Sequence, residues 1–179
     1  DVRDLAALAA ADALLILAGH RRQQAWQGAA LKAAPELLRD APIDEAALAL
    51  PPAREGEEIV HDYAALGLTL RRHPLALLRD RLAPRGVRTA DELNALKPTR
   101  HVIACGLVTG RQRPATANDT IFVTLEDETG PVNVIVWKSV RADRKQREAL
   151  LRAHLLAVEG EWQRAQDSDG HVRHLIARR

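Results

Sequence analysis

From residue 100 onward the chain alternates between short apolar, β-branched runs and turn-forming residues. RHVIACGLVTG (100–110), TIFVTLE (120–126), VNVIVW (132–137), HLLAVEGEWQR (154–164) and HVRHLIA (171–177) read as five strands. Pro114, Asn118 and Asp119 mark a loop over 111–119, DETG marks a tight turn at 127–130, and AQDSDG is a polar turn before the last strand. Gly106 suits a bend where the first strand turns a corner. KSVRADRKQREALLRA (138–153) has no Gly or Pro and many helix formers, which predicts a helix. Alternation in the central hairpin assigns two faces. Ile121, Val123, Leu125, Val132, Val134 and Val136 point inward, while Thr120, Phe122, Thr124, Glu126, Asn133, Ile135 and Trp137 point outward.

Five strands with one helix between the third and fourth is the order of a small closed barrel of the oligonucleotide-binding (OB) type. The fold class is therefore expected to be α+β, an N-terminal helical segment followed by this barrel. Such barrels bind single strands on one outer face. An outer face is ordinarily polar, but this one carries Phe122, Ile135 and Trp137, including the only Phe and one of three Trp. Two readings of the aromatics stay open: they stack on bases, or a neighbouring helix or domain covers them. Asn133 shares their face. Arg111 and Arg113 in the first loop, and Lys138 after Trp137, are placed to hold phosphates, with Arg164 and Arg173 as further candidates.

The first ninety-nine residues read as helical. Residues 1–34 form two helices, the first ending at Gly19 and the second starting near His20 and carrying Arg21 and Arg22. A compact helix pair of this kind either grips a DNA backbone, through Arg21 and Arg22, or simply packs. Residues 35–58 hold four prolines and alternating charges and look like a linker. Helices are then expected in the stretches 57–70, ending at Gly67, 71–86 and 89–97, the last opened by a capping box of Thr89 and Glu92. The resulting division is 1–34, 35–98 and 99–179.

Charge changes the picture little. The chain has 26 Lys+Arg against 24 Asp+Glu, net +2; residues 100–179 hold 13 against 10, net +3. That balance permits nucleic-acid binding without demanding it. Cys105 is alone, so no intrachain disulfide forms, which fits a reducing cytoplasm. The apolar run 5–20 is interrupted by Asp12 and is too short to span a membrane. His61, His73, His171 and His174 lack metal-ligand spacing, and the acids Glu126, Asp127 and Glu128 are expected to splay in a solvated turn. No nucleophile with a base, phosphate-cradling glycine loop or paired catalytic carboxylates appear, so neither a catalytic residue nor a cofactor is assigned to this chain. With no methionine and a start inside a helix, the chain reads as part of something longer.

Four strings carry a family resemblance: YAALGLTLRRHPLALLR (63–79), GLVTGRQRP (106–114), FVTLEDETGPVNVIVW (122–137) and LLAVEGEWQR (155–164). Together they resemble the C-terminal part of bacterial C-family DNA polymerases, most closely the error-prone, translesion branch of the alpha-subunit family. The resemblance implies that residues 1–34 end a helix-hairpin-helix region holding duplex DNA, 35–98 are a connector, and 99–179 are an OB domain guiding single-stranded template. The family's catalytic aspartates and the Mg2+ they use lie in a palm domain upstream of this chain. Implied partners are single-stranded template and primer-template DNA. Replicative members carry a clamp motif ending in an aromatic in the connector, whereas residues 35–56 have no aromatic. This fits the error-prone branch, whose link to the sliding clamp runs through an accessory mutagenesis protein. Two other readings compete. The outer patch docks that accessory protein rather than DNA, or the barrel binds a tRNA anticodon; the DETG turn and the RRHPL segment argue against the second.

Overall fold

A computed structural model describes residues 1–31, 48–164 and 172–179. Most of the expected linker, the AQDSDG turn and His171 lie outside the described residues. Two compact units are formed, Asp1–Arg72 and His73–Arg179. The second gathers the end of the expected connector together with the barrel.

The first unit contains α1 (Val2–Ala10), α2 (Leu15–Ala18), α3 (Arg21–Ala30) and α4 (Glu55–Leu66). The single helix expected up to Gly19 is interrupted. Asp12 adopts a left-handed φ of 57°. Its carboxylate accepts from Gln24 Nε2 at 2.7 Å and from Arg71 at 2.6 Å, contacts that replace helix continuation. The second helix starts where expected, with His20 as its N-cap. α4 ends on Gly67 in the left-handed conformation, where the sequence places its end. Arg21 lies buried beneath α4. Its guanidinium pairs with Glu58 at 3.0 Å and with Asp62, and Arg71 reaches the same two carboxylates at 3.4 and 2.6 Å. Burial pushes the Asp62 carboxyl up, but hydrogen bonds from Thr69, Arg71 and Arg21 outweigh it and hold the group at about 2.

In the second unit the helix expected over 71–86 is instead a chain of short turns: 3-10 turns at Ala76–Leu78 and Ala83–Arg85 flank α5 (Arg79–Leu82). Pro84 sits inside the segment and cannot donate to a continuing helix. These turns lay Leu75, Leu78 and Leu82 over Cys105 and Ile103, and β1 (Val87–Arg88) pairs parallel with the next strand. Burial raises the Cys105 thiol pKa, as suits a packed rather than a reactive cysteine. α6 (Ala90–Ala95) follows, with the expected Thr89/Glu92 capping box in place.

The barrel consists of β2 (Arg100–Gln112), β3 (Ile121–Asp127), β4 (Gly130–Val136), β5 (Leu155–Arg164) and β6 (Arg173–Ala177), with α7 (Arg144–Arg152) between β4 and β5. β2 pairs antiparallel with β5 through its first half and with β3 through its second, which closes the sheet. β6 joins β4 in parallel and β5 antiparallel. Gly106 makes the crossover between the two pairings possible: a Cβ there would lie 2.7 Å from Leu125 Cβ and 2.8 Å from the Glu126 nitrogen. All six residues assigned to the interior are buried, joined by Val102, Ala104, Val158, Trp162, Leu175 and Ala177. Leu93 of α6 and Leu150 of α7 enter the same core, closing the barrel at its two ends. Thr120 is not on the outer face: it precedes β3 and is buried, because its amide donates back to Ala117 to close the preceding loop.

The helix expected over 138–153 is also split. A 3-10 turn covers Val140–Ala142, then Asp143 turns extended and caps α7, its carboxylate accepting from the Gln146 amide at 2.9 Å. The acidic turn departs from expectation too. Asp127 is buried and accepts from the Thr129 and Gly130 amides at 2.7 and 3.1 Å, the Thr129 hydroxyl at 2.8 Å and the Ala90 amide opening α6 at 2.8 Å. Glu128 holds Arg79 at 2.5 Å, and that guanidinium draws the Glu128 carboxyl below its usual range. The DETG sequence is thus a bracket tying the hairpin to α6 and to the segment before it.

Two stability predictions follow from these carboxylates. Asp127→Ala strands several buried donors and is expected to lower unfolding free energy by about 3 kcal/mol, whereas Glu126→Ala, on the exposed side of the same strand, changes it by less than about 0.5 kcal/mol. Urea denaturation of both variants checks this, and equal losses would contradict it. Asp62 titrates at about 2 in the folded chain against 3.8 ordinarily, so its contribution is present above pH 4 and is lost as pH falls toward 2. The stability gap between the parent chain and Asp62→Asn should therefore shrink by about 2 kcal/mol between pH 6 and pH 2. A gap that stays constant across that range would refute it.

Candidate nucleic-acid interface

The outward residues of the barrel form a ring in register. Gln112 lies opposite Phe122, Phe122 opposite Ile135, Ile135 beside Ile176, Ile176 opposite Glu161, and Glu161 opposite His101. Three successive members of that ring, Phe122, Ile135 and Ile176, are apolar. Phe122 is 38% exposed, and Trp137, just past the end of β4, is 48% exposed. One row away, Thr124 lies opposite Asn133 with their side-chain oxygens 3.4 Å apart. The outer face therefore offers an apolar band with a polar row beside it. Ile176 is a member that the sequence reading missed. Alternation would have turned it outward, but only its parallel pairing with β4 shows that it extends the band.

At the α7 end the band opens into a groove of about 520 Å3 bordered by Trp137 and Ile176, with Ser139, Asp143, Gln146 and Arg178 supplying polar groups. Arg178 is set in place by Glu161 at 3.1 Å. Gln163 and then Arg178 hydrogen-bond to Glu161 and hold its carboxyl low. His174 lies across from Gln163, and partial burial lowers its pKa, favouring the neutral ring.

The cations singled out from sequence are distributed unequally. Arg111, though exposed, is engaged by α7: its Nε donates to the Leu150 carbonyl at 2.7 Å and its Nη2 to the Ala153 carbonyl. It thereby caps the C-terminal end of α7, where a cation suits the helix dipole. Arg113 pairs with Asp119 while its side chain stays 63% exposed, and Asp119 also holds Arg141. Hydrogen bonds from Arg141 first and Arg113 second draw the Asp119 carboxyl below its usual range. Lys138 is exposed beside Trp137. Arg164 and Arg173 face one another across β5 and β6, at the opposite end of these strands from the groove. Arg173 donates to the Asn94 carbonyl. In the helical unit Arg22 is exposed and pairs with Glu57 at 3.0 Å. Arg21 is locked in the buried ion cluster, with its charge already met by Glu58 and Asp62. Phe122, Asn133, Trp137 and Lys138 are thus brought to one surface, while Arg111 and Arg21 are committed to packing.

Among the described residues no three His, Cys, Asp or Glu side chains converge as a metal site requires. Among the described residues no helix is long and apolar enough to cross a membrane.

Residues 102–176, almost the whole barrel, match the family described as OB-fold nucleic acid binding domain. Over nearly its full length the chain is similar to proteins named error-prone DNA polymerase. That of Bordetella parapertussis is 54% identical over 176 residues, 98% of this chain and 16% of the relative. That of Ralstonia nicotianae is 50% identical over 180 residues, 99% of this chain and 16% of the relative. That of Methylococcus capsulatus is 50% identical over 179 residues, 100% of this chain and 16% of the relative. Among solved structures, asparaginyl-tRNA synthetase from Pyrococcus horikoshii superposes with a TM-score of 0.41 at 21% identity, covering 52% of this chain and 21% of that one, which is too loose to bear on function. The chain is thus an OB-fold segment whose sequence corresponds to about 16% of the length of error-prone DNA polymerases.

Proposed function

We propose that the barrel guides single-stranded template in an error-prone DNA polymerase during damage-tolerant synthesis. The parent protein would carry the nucleotidyl-transfer chemistry, with Mg2+, in parts beyond this segment. The observation that supports the reading is the apolar band of Phe122, Ile135 and Ile176 ending in the exposed ring of Trp137, on the outer face of an OB barrel. Bases present a π-face whatever their identity, so an aromatic platform holds a strand without reading its sequence, as a template guide requires. The groove beside Trp137 has room for an unstacked base and polar groups at its border. Lys138 flanks the platform as a phosphate contact, and Arg113, 63% exposed, reaches a phosphate only by giving up its pairing with Asp119. Asn133 and Thr124 supply hydrogen-bonding groups in the adjacent row. Arg111 acts indirectly, by fixing α7 and with it one wall of the groove. In the helical unit, Arg22 is the residue left to touch a duplex backbone.

Stacking contributes about 1–3 kcal/mol per base. The double variant Phe122→Ala/Trp137→Ala is therefore expected to weaken oligo(dT) binding at least tenfold, read by fluorescence anisotropy on the 179-residue chain with circular dichroism confirming the fold. Unchanged affinity would overturn the reading. Affinity for a protein partner that persists at high salt and requires Ile135 or Trp137 would replace it with a docking role.

A further inference from the structure

At the end of the barrel plugged by α6, away from Trp137, the surface gathers several cations. Arg88, Lys97, Arg100 and His101 line an open groove of about 460 Å3 whose floor is Leu96 and Val102. The strands beside it add two more cations. Arg100 lies across from Trp162, two residues from Arg164, and Arg164 sits directly opposite Arg173. Like charges directly opposite on neighbouring strands are destabilising. Arg173 is pinned by the Asn94 carbonyl at the end of α6, which holds that charge next to the groove. Among the described residues, the acids paired with this group are Glu92, 3.6 Å from Arg88, and Glu159, 3.6 Å from His101. Lys97, Arg100 and Arg164 have no carboxylate partner among the described residues.

We propose that this groove is a second phosphate-binding site, which takes the backbone of the DNA strand where it leaves the aromatic face. The inference rests on the reading of that face as a single-strand platform. From Val132 at the α6 end to Trp137 at the other is five residues of β4, roughly 17 Å at strand rise. One OB fold usually occupies about 4–16 nucleotides; a strand at the long end of that range reaches both sites, whereas one at the short end is used up on the aromatic face. The bases are held at Trp137 and the phosphates at Lys97 and Arg100. Two anchors at opposite ends keep the strand drawn across the barrel instead of pivoting on one stacked base.

The test titrates the 179-residue chain with fluorescent oligo(dT) of 4 and of 16 nucleotides across a salt series. For Lys97→Ala/Arg100→Ala, affinity for the 16-mer should fall about tenfold at low salt, and the slope of log K against log salt should flatten by about 1.4, two single-strand phosphate contacts. Affinity for the 4-mer should not change, while Trp137→Ala should weaken both. A double variant that binds the 16-mer with the parent's affinity and salt slope would overturn the second site and leave the platform standing. Equal loss for both lengths, with an unchanged circular dichroism spectrum, would also overturn it, since the cations would then act only as diffuse charge. No binding of either oligonucleotide by the parent chain would overturn the platform reading and this inference with it.

Discussion

Everything on the barrel surface depends on β2 serving two partners. Its first half pairs with β5 and its second half with β3, so that the sheet has no gap between those edges. The two pairings meet at Gly106, where the backbone passes so near Leu125 and Glu126 that a side chain has no room. A second close approach occurs where Gly160 faces the Ile176 carbonyl. Closure turns alternation into a patterned outer surface. Once the inward residues fill the core, the outward ones must fall into rows around the barrel, and one of those rows holds Phe122, Ile135 and Ile176. The helices seal the ends, with Leu93 of α6 at one and Leu150 of α7 at the other.

Carboxylates divide the arginines into those that build and those free to bind. Glu128 takes Arg79, Asp119 takes Arg141, and Glu58 with Asp62 takes Arg21, so these charges stabilise the fold and are unavailable to a phosphate. Arg111 is committed differently, to the last carbonyls of α7. This explains why a net charge of +2 is a poor guide to binding. The relevant quantity is which cations remain exposed and unmatched, and where they stand relative to the aromatic band.

Much of this was legible in the sequence wherever local chemistry decided the outcome. Strict alternation in 121–125 and 132–136 set the faces of the central hairpin, and Thr89 with Glu92 marked the start of α6. What escaped depended on distant partners. Asp12 interrupts the first helix where Gln24 and Arg71 each take one of its carboxylate oxygens, and Asp127 is buried where it meets the Ala90 amide, 37 residues away in the chain but adjacent in space. Alternation places Thr120 outward, but it stands one residue before the strand begins, in a loop that folds back on itself and buries it. For the candidate interface, the aromatics were legible as outward-facing residues. Ile176 required the parallel pairing of β6 with β4, and the commitment of Arg111 and Arg21 required helix ends that no spacing rule encodes.

The central claim is that the outer band, not the ends or the helical unit, receives the bases of a single strand. The most direct measurement is an NMR titration of the isotope-labelled chain with a short oligo(dT), following backbone amide and Trp indole resonances. The account predicts saturable shifts concentrated at Phe122, Ile135, Trp137 and Ile176, with the core residues Val123 and Val134 nearly still. Shifts confined to other surfaces, or none at saturating oligonucleotide, would contradict it.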